Sequence, residues 1–381
     1  MQASPKWLVA HCAATVRPTI CDAMKAVIRR GTRLVVDTIP DPVPAPGTAL
    51  VRTLACGICG SDLHALTHME RMVEAASRSG APFAVDPSRD VVMGHEFAAE
   101  ILDYGPGSAR PLPVGTPVCA MPVALGASGI ATVGYSNDFP GGYGERMLLT
   151  EMLLLPIPNG LSPAHAALTE PMAVALHAVN QAALTPDDVP LVIGCGPIGL
   201  AVIAALKLAG ASPIVASDFS PARRALAASM GADVVVDPGA ESPWTRWQDL
   251  ANPHGVDPND AMTLIGLGPQ LRPGVVFECV GVPGVIAQIF EHAMRRTRIV
   301  VVGVCMDRDH IEPMLAINKE LAMRFVLAYS PEEFAATLGH IAEGRIDVSP
   351  LVTGRVGLDG VADAFEELRS PGRHAKVIVQ P

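Results

Sequence analysis

The sequence contains no apolar run of the about eighteen residues that a helix needs to cross a bilayer. It also has few basic residues, since 28 Lys and Arg stand against 38 Asp and Glu and give a formal net charge of −10. A polyanion such as a nucleic acid or an anionic membrane is therefore not an expected partner. We expect a soluble protein that acts on a small molecule, and the length of 381 residues suggests two domains.

Cysteine spacing of the kind that builds a disulfide framework is also missing. The eight cysteines are scattered, and several lie inside apolar runs. This distribution is typical of reduced thiols, so we expect a cytoplasmic location. Residues 1–23 have little periodicity and no clean hydrophobic segment followed by a cleavage site. We interpret them as an N-terminal extension of low order or a misassigned start, with a secretory signal as the weaker alternative.

A glycine turn between two apolar segments is the most informative motif. Residues 191–218, LVIGCGPIGLAVIAALKLAGASPIVASD, predict a strand, a turn, a buried helix and a second strand. Gly194 permits the tight turn, Gly196 lets a pyrophosphate approach the backbone, and Gly199 lets the helix pack on the strand. A turn before a buried helix also explains these glycines without a ligand. Asp218 ends the second strand, where a carboxylate binds an adenosine ribose and repels a 2′-phosphate, so the motif favours NAD over NADP.

Further short, mostly apolar runs follow at 234–236, 275–279, 299–302 and 324–327. Such runs are typical of parallel strands that helices cover on both faces. With the two strands of the glycine motif they predict a doubly wound parallel sheet of about six strands. Residues 24–155, in contrast, contain short strand patterns broken by Pro and Gly. They predict a β-rich domain with no helix of ordinary length before about Glu74.

Two short motifs in the β-rich part carry candidate metal ligands. Cys56 and Cys59 form a C-x-x-C pair, but no second pair completes a four-thiolate zinc site, and the surrounding pattern is not that of a redox dithiol. His95 and Glu96 follow a strand-like segment, and a His-Glu dipeptide alone is usually a surface feature. Together with Cys59 they offer a thiolate, an imidazole and a carboxylate, which suit one zinc ion with an open position.

The order of the motifs resembles that of the zinc-dependent medium-chain dehydrogenases/reductases, the alcohol and sorbitol dehydrogenase family. The motifs are GICGSDLH at 57–64, GHE at 94–96, GGYGE at 141–145, EPMAVALHAV at 170–179 and the glycine turn. The resemblance covers residues 24–381. It implies an α/β fold, with a GroES-like β-rich catalytic domain and a Rossmann coenzyme domain built on a doubly wound parallel sheet. The implied divisions are an extension at 1–23, the catalytic domain at 24–175, the Rossmann domain at 176–328 and a return to the catalytic domain at 329–381.

The resemblance also assigns roles to the candidate ligands. It implies that Cys59, His95 and Glu96 bind zinc, and that Cys56 is a packing residue. It further implies that Glu170 is a catalytic group and a close or exchanging ligand, as in the polyol and threonine dehydrogenase branches. A carboxylate at a helix N-terminus also has a structural explanation through the helix dipole.

A structural zinc site, which many relatives carry, is not expected. It needs four closely spaced cysteines soon after GHE, and between residues 96 and 141 the chain has only Cys119. One thiolate cannot form a tetrahedral thiolate site, so we expect one zinc ion per chain.

The implied chemistry is hydride transfer to a nicotinamide. A zinc ion with an open position lowers the pKa of a bound alcohol, which favours loss of hydride. The resemblance implies that the alcohol proton leaves through Ser61, a coenzyme ribose and His64. A turn serine and a surface histidine are the alternatives for these two residues. The residues assigned to the coenzyme are Gly194, Gly196, Pro197, Ile198, Gly199, Asp218, Arg223, Val280 and Gly303.

We therefore predict a zinc-dependent oxidoreductase that transfers hydride between NAD and a secondary alcohol or polyol. A zinc-free NAD(P)H-dependent enone or quinone reductase of the same superfamily and a non-catalytic NAD-binding protein are the alternatives. Ala65 and Ala328 occupy positions where sorbitol-type enzymes carry an aromatic residue and an arginine, so a smaller or more apolar alcohol is equally expected. Segment 66–90 either shapes the substrate entrance or forms a solvent loop. Strand pairing along 298–304 predicts a homodimer or a homotetramer.

Overall fold

The structure is a computed structural model that describes residues 23–81, 83, 85–126, 129–257, 260–370 and 372–381. The predicted extension at 1–23 lies, apart from Ala23, outside the described residues. The strands are β1 Ala23–Arg30, β2 Arg33–Pro40, β3 Thr48–Gly57, β4 Val91–Val92, β5 Glu96–Tyr104, β6 Pro117–Cys119, β7 Val123–Gly126, β8 Gly129–Thr132, β9 Arg146–Thr150, β10 Leu155–Pro156, β11 Val189–Ile193, β12 Val215–Ser217, β13 Val234–Val236, β14 Gly274–Glu278, β15 Arg298–Val301, β16 Ala322–Phe325, β17 Val352–Val356 and β18 Lys376–Val379. The helices are α1 Gly60–Ser79, α2 Pro163–Ala166, α3 Thr169–Gln181, α4 Pro197–Leu208, α5 Pro221–Met230, α6 Pro243–Ala251, α7 Ala261–Leu264, α8 Val285–His292, α9 Pro313–Lys319, α10 Pro331–Ala342 and α11 Val361–Leu368. No helix in these ranges is long and apolar enough to span a membrane.

Six parallel strands form one sheet in the order β13-β12-β11-β14-β15-β16. Its strands are apolar on both faces because both faces are covered. Val192 belongs to the apolar cluster that includes Leu200 of α4, whereas its neighbour Leu191 belongs to a second cluster with Trp247 of α6. The predicted doubly wound sheet is confirmed.

A seven-stranded sheet forms the centre of the β-rich part, in the order β10-β6-β5-β3-β18-β17 with β9 also paired to β3. Smaller sheets, β2-β1-β4 and β7-β8, lie beside it. The end of the chain returns to this sheet, because β18 pairs antiparallel with β3. The GICGSDLH motif begins at the end of β3, and the GHE motif leads into β5, at the centre of this sheet. The domain boundaries at 175 and 328 stay predictions.

Helix α1 contradicts the expectation that no ordinary helix begins before about Glu74. It begins at Gly60, directly after the N-cap residue Cys59, which has extended backbone angles. Asp62 accepts a hydrogen bond from the Cys59 backbone N–H at 3.1 Å and so caps the first turn. The start is hard to recognise because Gly and Ser usually indicate a turn. The solvent-loop interpretation is therefore wrong for residues 66–79, which are helical.

Strand β15 is not free to pair with a second copy of the chain. It is hydrogen-bonded to β14 on one side and to β16 on the other. The prediction of pairing along 298–304 is therefore wrong for β15, since β16 is the outer strand of this sheet. Phe325 of β16 is 65% exposed, and Leu327 just beyond it is 83% exposed.

Candidate active site

Two neighbouring strands bring the candidate metal ligands together. Strands β3 and β5 pair antiparallel with Gly57 opposite Glu96. Cys59 follows the end of β3, and His95 directly precedes β5. One ligand atom from each of Cys59, His95 and Glu96 lies within 4.8 Å of the other two, which is close enough to share one metal ion. His95 and Glu96 are buried, and Cys59 is half-buried.

Glycines on both motifs make this approach possible. A Cβ at Gly57 would lie 2.0 Å from Glu96 Oε2, so no side chain fits there. Gly94 has a φ of +98°, and a Cβ there would lie 2.8 Å from the Tyr143 ring and 2.9 Å from Cys56 Sγ. Close packing therefore requires the glycine of GHE. Cys56 is fully buried against these glycines and lies outside the ligand group.

A buried carboxylate, Asp62, lies next to the candidate ligands Cys59 and His95. Its oxygens accept hydrogen bonds from the hydroxyls of Tyr135 at 2.8 Å and Tyr143 at 2.7 Å. Burial alone would raise the pKa of Asp62, but the charge on His95 and the two hydroxyl donors bring it below its usual value. Asp62 Oδ1 lies 3.5 Å from His95 Nδ1, a buried atom that makes no hydrogen bond to the described residues.

One ammonium group lies among these negative charges. Lys376 of β18 is 2% exposed, and its Nζ donates to both oxygens of Glu96, at 2.6 and 2.8 Å, and to the carbonyl of Ile58 at 3.1 Å. Burial lowers the pKa of Lys376, but the charges of Glu96 and Cys59 outweigh burial and raise it. The sulfur, imidazole and carboxylate donors of Cys59, His95 and Glu96 form a set that fits a divalent cation such as zinc.

Glu170 lies beside this group at the N-terminus of α3. The Tyr329 hydroxyl donates to Glu170 Oε1 at 3.0 Å. Burial, with a smaller contribution from the charge of Glu96, raises the pKa of Glu170 to about 7, and the charge of His95 opposes this shift. No Glu170 oxygen belongs to the set of atoms within 4.8 Å of one another. The structure thus places Glu170 next to the three candidate ligands rather than among them.

The two residues of the predicted proton relay lie on the first turns of α1. The Ser61 hydroxyl is 2.8 Å from the Tyr135 hydroxyl, and the Tyr135 ring lies 5.1 Å from the His95 ring between centroids. His64 is half-buried, and burial followed by the charge of His68 lowers its pKa. Ser61 therefore lies in the first turn of a helix and in a hydrogen-bond network, and its role in a proton relay stays a prediction.

The predicted coenzyme residues gather at one edge of the parallel sheet. Gly194, Asp218, Val280 and Gly303 follow the carboxyl ends of β11, β12, β14 and β15. These ends meet at the edge where doubly wound sheets bind their ligands. Gly194 has a φ of +88°, and a Cβ there would lie 2.7 Å from a methyl group of Val280. The turn therefore needs its first glycine.

The second and third glycines differ in their surroundings. A Cβ at Gly199 would lie 1.9 Å from the Gly194 carbonyl oxygen, so helix α4 packs on the turn there. A Cβ at Gly196, the N-cap of α4, would meet only Arg223 Nη1, at 3.9 Å. Open space therefore lies over Gly196, where an anion would reach the helix N-terminus. Pro197 and Ile198 form the first turn of α4 behind it.

Asp218 and Arg223 complete this edge. The Asp218 oxygens accept hydrogen bonds from the backbone N–H groups of Cys195 and Ser220, each at 2.8 Å. Arg223 Nη1 lies 3.9 Å from Asp218 Oδ2, and its buried Nε has no hydrogen-bond partner among the described residues. A carboxylate and a guanidinium thus lie side by side at the end of β12.

Helix α1 also connects the two parts of the molecule. Arg71 Nη1 lies 2.7 Å from Asp307 Oδ1, and Asp307 belongs to the segment that follows β15 and Gly303. Both side chains are partly exposed, so this ion pair contributes little to the free energy of unfolding. The helical part of segment 66–90 therefore contacts the segment that follows β15 of the parallel sheet.

Sequence reasoning missed two side chains of the site, Tyr135 and Lys376, and one contact, that of Tyr329 with Glu170. Lys376 had one signal, a lysine that opens an apolar strand. Tyr135 and the Tyr329 contact had none, because each partner is distant in the chain.

Comparison with known families agrees with this arrangement. Residues 45–159 match the alcohol dehydrogenase GroES-like domain, and residues 197–343 match the zinc-binding dehydrogenase model. The (R,R)-butanediol dehydrogenase of Bacillus subtilis (strain 168) is 31% identical over 355 residues, which cover 91% of this chain and 96% of that protein. The chain belongs to the zinc-binding alcohol dehydrogenase family. The predicted family, fold and oxidoreductase class of this dehydrogenase are confirmed.

Other relatives extend the comparison. The sorbitol dehydrogenase of Bacillus subtilis (strain 168) is 28% identical, over 95% of this dehydrogenase and 99% of the relative. The crystal structure of 2R,3R-butanediol dehydrogenase from Bacillus subtilis superposes with a TM-score of 0.76 at 31% identity and covers 94% of this chain and 99% of its own. A zinc-binding dehydrogenase from Sinorhizobium meliloti 1021 bound to NADP has a TM-score of 0.77 at 26% identity, over 94% of this chain and all of its own.

Proposed function

We propose that this dehydrogenase oxidises a small secondary alcohol or polyol with NAD, and reduces the matching carbonyl compound, at one zinc ion held by Cys59, His95 and Glu96. The approach of these three ligand atoms to within 4.8 Å carries the proposal. Glu170, half-buried next to them, is the exchanging fourth ligand. One zinc ion per chain follows from the single cysteine, Cys119, between residues 96 and 141.

The relatives support the substrate class. The two Bacillus subtilis proteins are named for butanediol and sorbitol, which both carry a secondary hydroxyl beside a second hydroxyl. Small side chains at Ala65 and Ala328 leave out two partners that a long polyol would use. We therefore favour a short vicinal diol over a sugar alcohol.

The residues around the candidate ligands have different roles in the proposed reaction. A zinc ion, when bound, supplies a positive charge that lowers the pKa of an alcohol hydroxyl in its open position. Ser61 lies two residues after Cys59, and as it accepts the alcohol proton it releases its own hydroxyl proton toward His64. His64, one helical turn further along α1, takes up a proton as a neutral imidazole, since burial lowers its pKa. Asp62 keeps the His95 ring and the first turn of α1 in place.

The coenzyme is proposed to be NAD. The carboxylate of Asp218 stands at the end of β12, where it would bind ribose hydroxyls and repel a 2′-phosphate. The Sinorhizobium meliloti relative contains NADP, so membership of the family leaves the choice open. Arg223 lies beside Asp218 and offers a positive charge to a phosphate once Asp218 is removed.

We further propose that the chain forms a homodimer or homotetramer through β16. Its outer edge is unpaired within the described chain and carries the exposed side chains Phe325 and, just beyond, Leu327. A cytoplasmic location is supported by the cysteines at positions 56, 59, 119, 195, 279 and 305, which are all free thiols. Cell fractionation would test the location.

The zinc site is tested with Cys59→Ser. We expect this variant to lose zinc and turnover of a vicinal diol while it still binds NAD, because the coenzyme residues lie on another sheet. Zinc content is measured by atomic emission, NAD binding by fluorescence titration, and turnover with a panel of alcohols and polyols.

Cys56→Ser is the matched control, since it makes the same change three residues earlier at a buried packing position. It should keep its zinc. If Cys59→Ser retained zinc and turnover, the ligand assignment would be wrong. If the wild-type protein oxidised no alcohol with either coenzyme, the proposed reaction would be wrong.

A further inference from the structure

A chain of hydroxyl groups connects Ser61 to the buried carboxylate of Asp62. Ser61 Oγ lies 2.8 Å from the hydroxyl oxygen of Tyr135, and that hydroxyl lies 2.8 Å from Asp62 Oδ1. The other oxygen of Asp62 accepts from the Tyr143 hydroxyl at 2.7 Å and from the Cys59 backbone N–H at 3.1 Å. Asp62 is fully buried and accepts at both oxygens, which is the hydrogen-bonding pattern of an ionised carboxylate.

The direction of the hydrogen bonds in this chain follows from the number of protons available. An ionised carboxylate can only accept, so Tyr135 must donate its single hydroxyl proton to Asp62. The Tyr135 oxygen can then only accept from Ser61. Ser61 has one hydroxyl proton, and it points at Tyr135. The remaining lone pairs of Ser61 Oγ are therefore left to accept a hydrogen bond from another group.

The position of Tyr135 is set by the same motifs that build the ligand group. The preceding Gly134 has a φ of +86°, and a Cβ there would lie 2.7 Å from the Gly94 carbonyl oxygen. The loop that carries Tyr135 thus packs directly on GHE. The Tyr135 side chain is buried, with its ring 5.1 Å from the His95 ring. Tyr135 cannot change its rotamer without disturbing this contact.

We propose that Tyr135 is a positioning residue that orients the Ser61 hydroxyl, so that Ser61 Oγ presents its lone pairs to the alcohol substrate. This inference rests on the proposed function of Ser61 as the first acceptor of the alcohol proton. Tyr135 touches neither the alcohol nor the coenzyme in this role. Before the reaction it holds the Ser61 oxygen in place and accepts a hydrogen bond from it, which removes the orientation in which Ser61 would donate to the substrate. When Ser61 takes the alcohol proton, its own hydroxyl proton leaves toward His64.

The test is a double-mutant cycle with Tyr135→Phe and Ser61→Ala. Tyr135→Phe keeps the ring against His95 and removes only the hydroxyl. We expect kcat for alcohol oxidation to fall about tenfold, as for the loss of one hydrogen bond, with KM nearly unchanged. The solvent deuterium isotope effect on kcat should increase, because proton acceptance by a freely rotating Ser61 becomes slower.

The effect of Tyr135→Phe in a protein that lacks the Ser61 hydroxyl shows whether Tyr135 acts through Ser61. In a Ser61→Ala protein, Tyr135→Phe should change kcat by less than about twofold, since its partner is already absent. Tyr143→Phe is the matched comparison, because it removes another hydroxyl from the same carboxylate without a hydrogen bond to Ser61. Its effect, whatever its size, should be the same in both backgrounds. Zinc content should be unchanged in Tyr135→Phe.

The outcomes separate this inference from the proposed function. If Ser61→Ala kept the wild-type kcat, Ser61 would have no role in the reaction and the proposed relay would be wrong. If Ser61→Ala lowered kcat, but Tyr135→Phe had no effect or an equal effect in both backgrounds, the relay would stand and the role of Tyr135 would be overturned. Loss of zinc from Tyr135→Phe would also overturn it, since the tyrosine would then act through His95.

Discussion

Replacing Lys376 with methionine tests the electrostatics of the site without touching a proposed ligand. Lys376 and Glu96 have side chains that are 2% and 0% exposed, and the ammonium donates to both carboxylate oxygens. Methionine is close in length to lysine and apolar, so it fills much of the same space. The substitution leaves the carboxylate of Glu96 buried and without its cation.

The expected loss of stability in Lys376→Met is large because both charged groups are buried away from water. Removing one partner of a buried ion pair costs about 3–5 kcal/mol in the free energy of unfolding, since an uncompensated charge remains inside the protein. An exposed pair contributes about 0–1 kcal/mol. Arg52 of β3 and Glu100 of β5 provide such a pair in the same sheet, at 3.0 Å and with side chains 54% and 26% exposed. We therefore expect Lys376→Met to cost several times more than Arg52→Met.

Urea unfolding of the zinc-free protein, monitored by circular dichroism, measures the free energy of unfolding of both variants. The double variant Glu96→Gln/Lys376→Met contains no unpaired charge, so it should be more stable than the sum of the single changes predicts, with a coupling of about 2 kcal/mol or more. Saturating zinc should then stabilise Lys376→Met more than the wild type, because the metal replaces the missing cation next to Glu96.

Two results would refute this reasoning. A loss below about 1 kcal/mol for Lys376→Met, equal to that of Arg52→Met, would mean that the pair is not buried as described. An equal stabilisation by zinc in the wild type and in Lys376→Met would mean that Glu96 does not face the metal.

Two further predictions concern the coenzyme and the assembly. Asp218→Ala should shift the ratio of kcat/KM for NAD over NADP toward NADP, because the charge that repels a 2′-phosphate is lost while Arg223 remains. Asp237→Ala, which removes a carboxylate at the end of the next strand, is the control. An unchanged ratio in Asp218→Ala would exclude Asp218 from this role. Phe325→Asp should release monomers in analytical ultracentrifugation, since it places a charge in the proposed β16 interface, whereas a wild-type protein that sediments as a monomer would contradict the interface.

The sequence alone predicted the parts of this enzyme that depend on short segments. The glycine turn and the apolar runs around it predict the parallel sheet, because their spacing matches the geometry of strand, turn and helix. The family resemblance adds Cys59, His95 and Glu96, and the structure brings their ligand atoms within 4.8 Å. Helix α1 was the exception, since its start is built from residues that usually form turns.

The tertiary structure alone decided the partners of the site residues. Tyr135 meets Ser61 across 74 positions of sequence, Tyr329 meets Glu170 across 159, and Lys376 meets Glu96 across 280. No local pattern indicates such contacts, because they arise where loops and the last strand pack on the centre of a sheet. The order of strands in the parallel sheet, which also depends on distant parts of the chain, decided that β16 and not β15 forms an outer edge. Periodicity predicts that a strand forms, but its neighbours depend on the path of the whole chain.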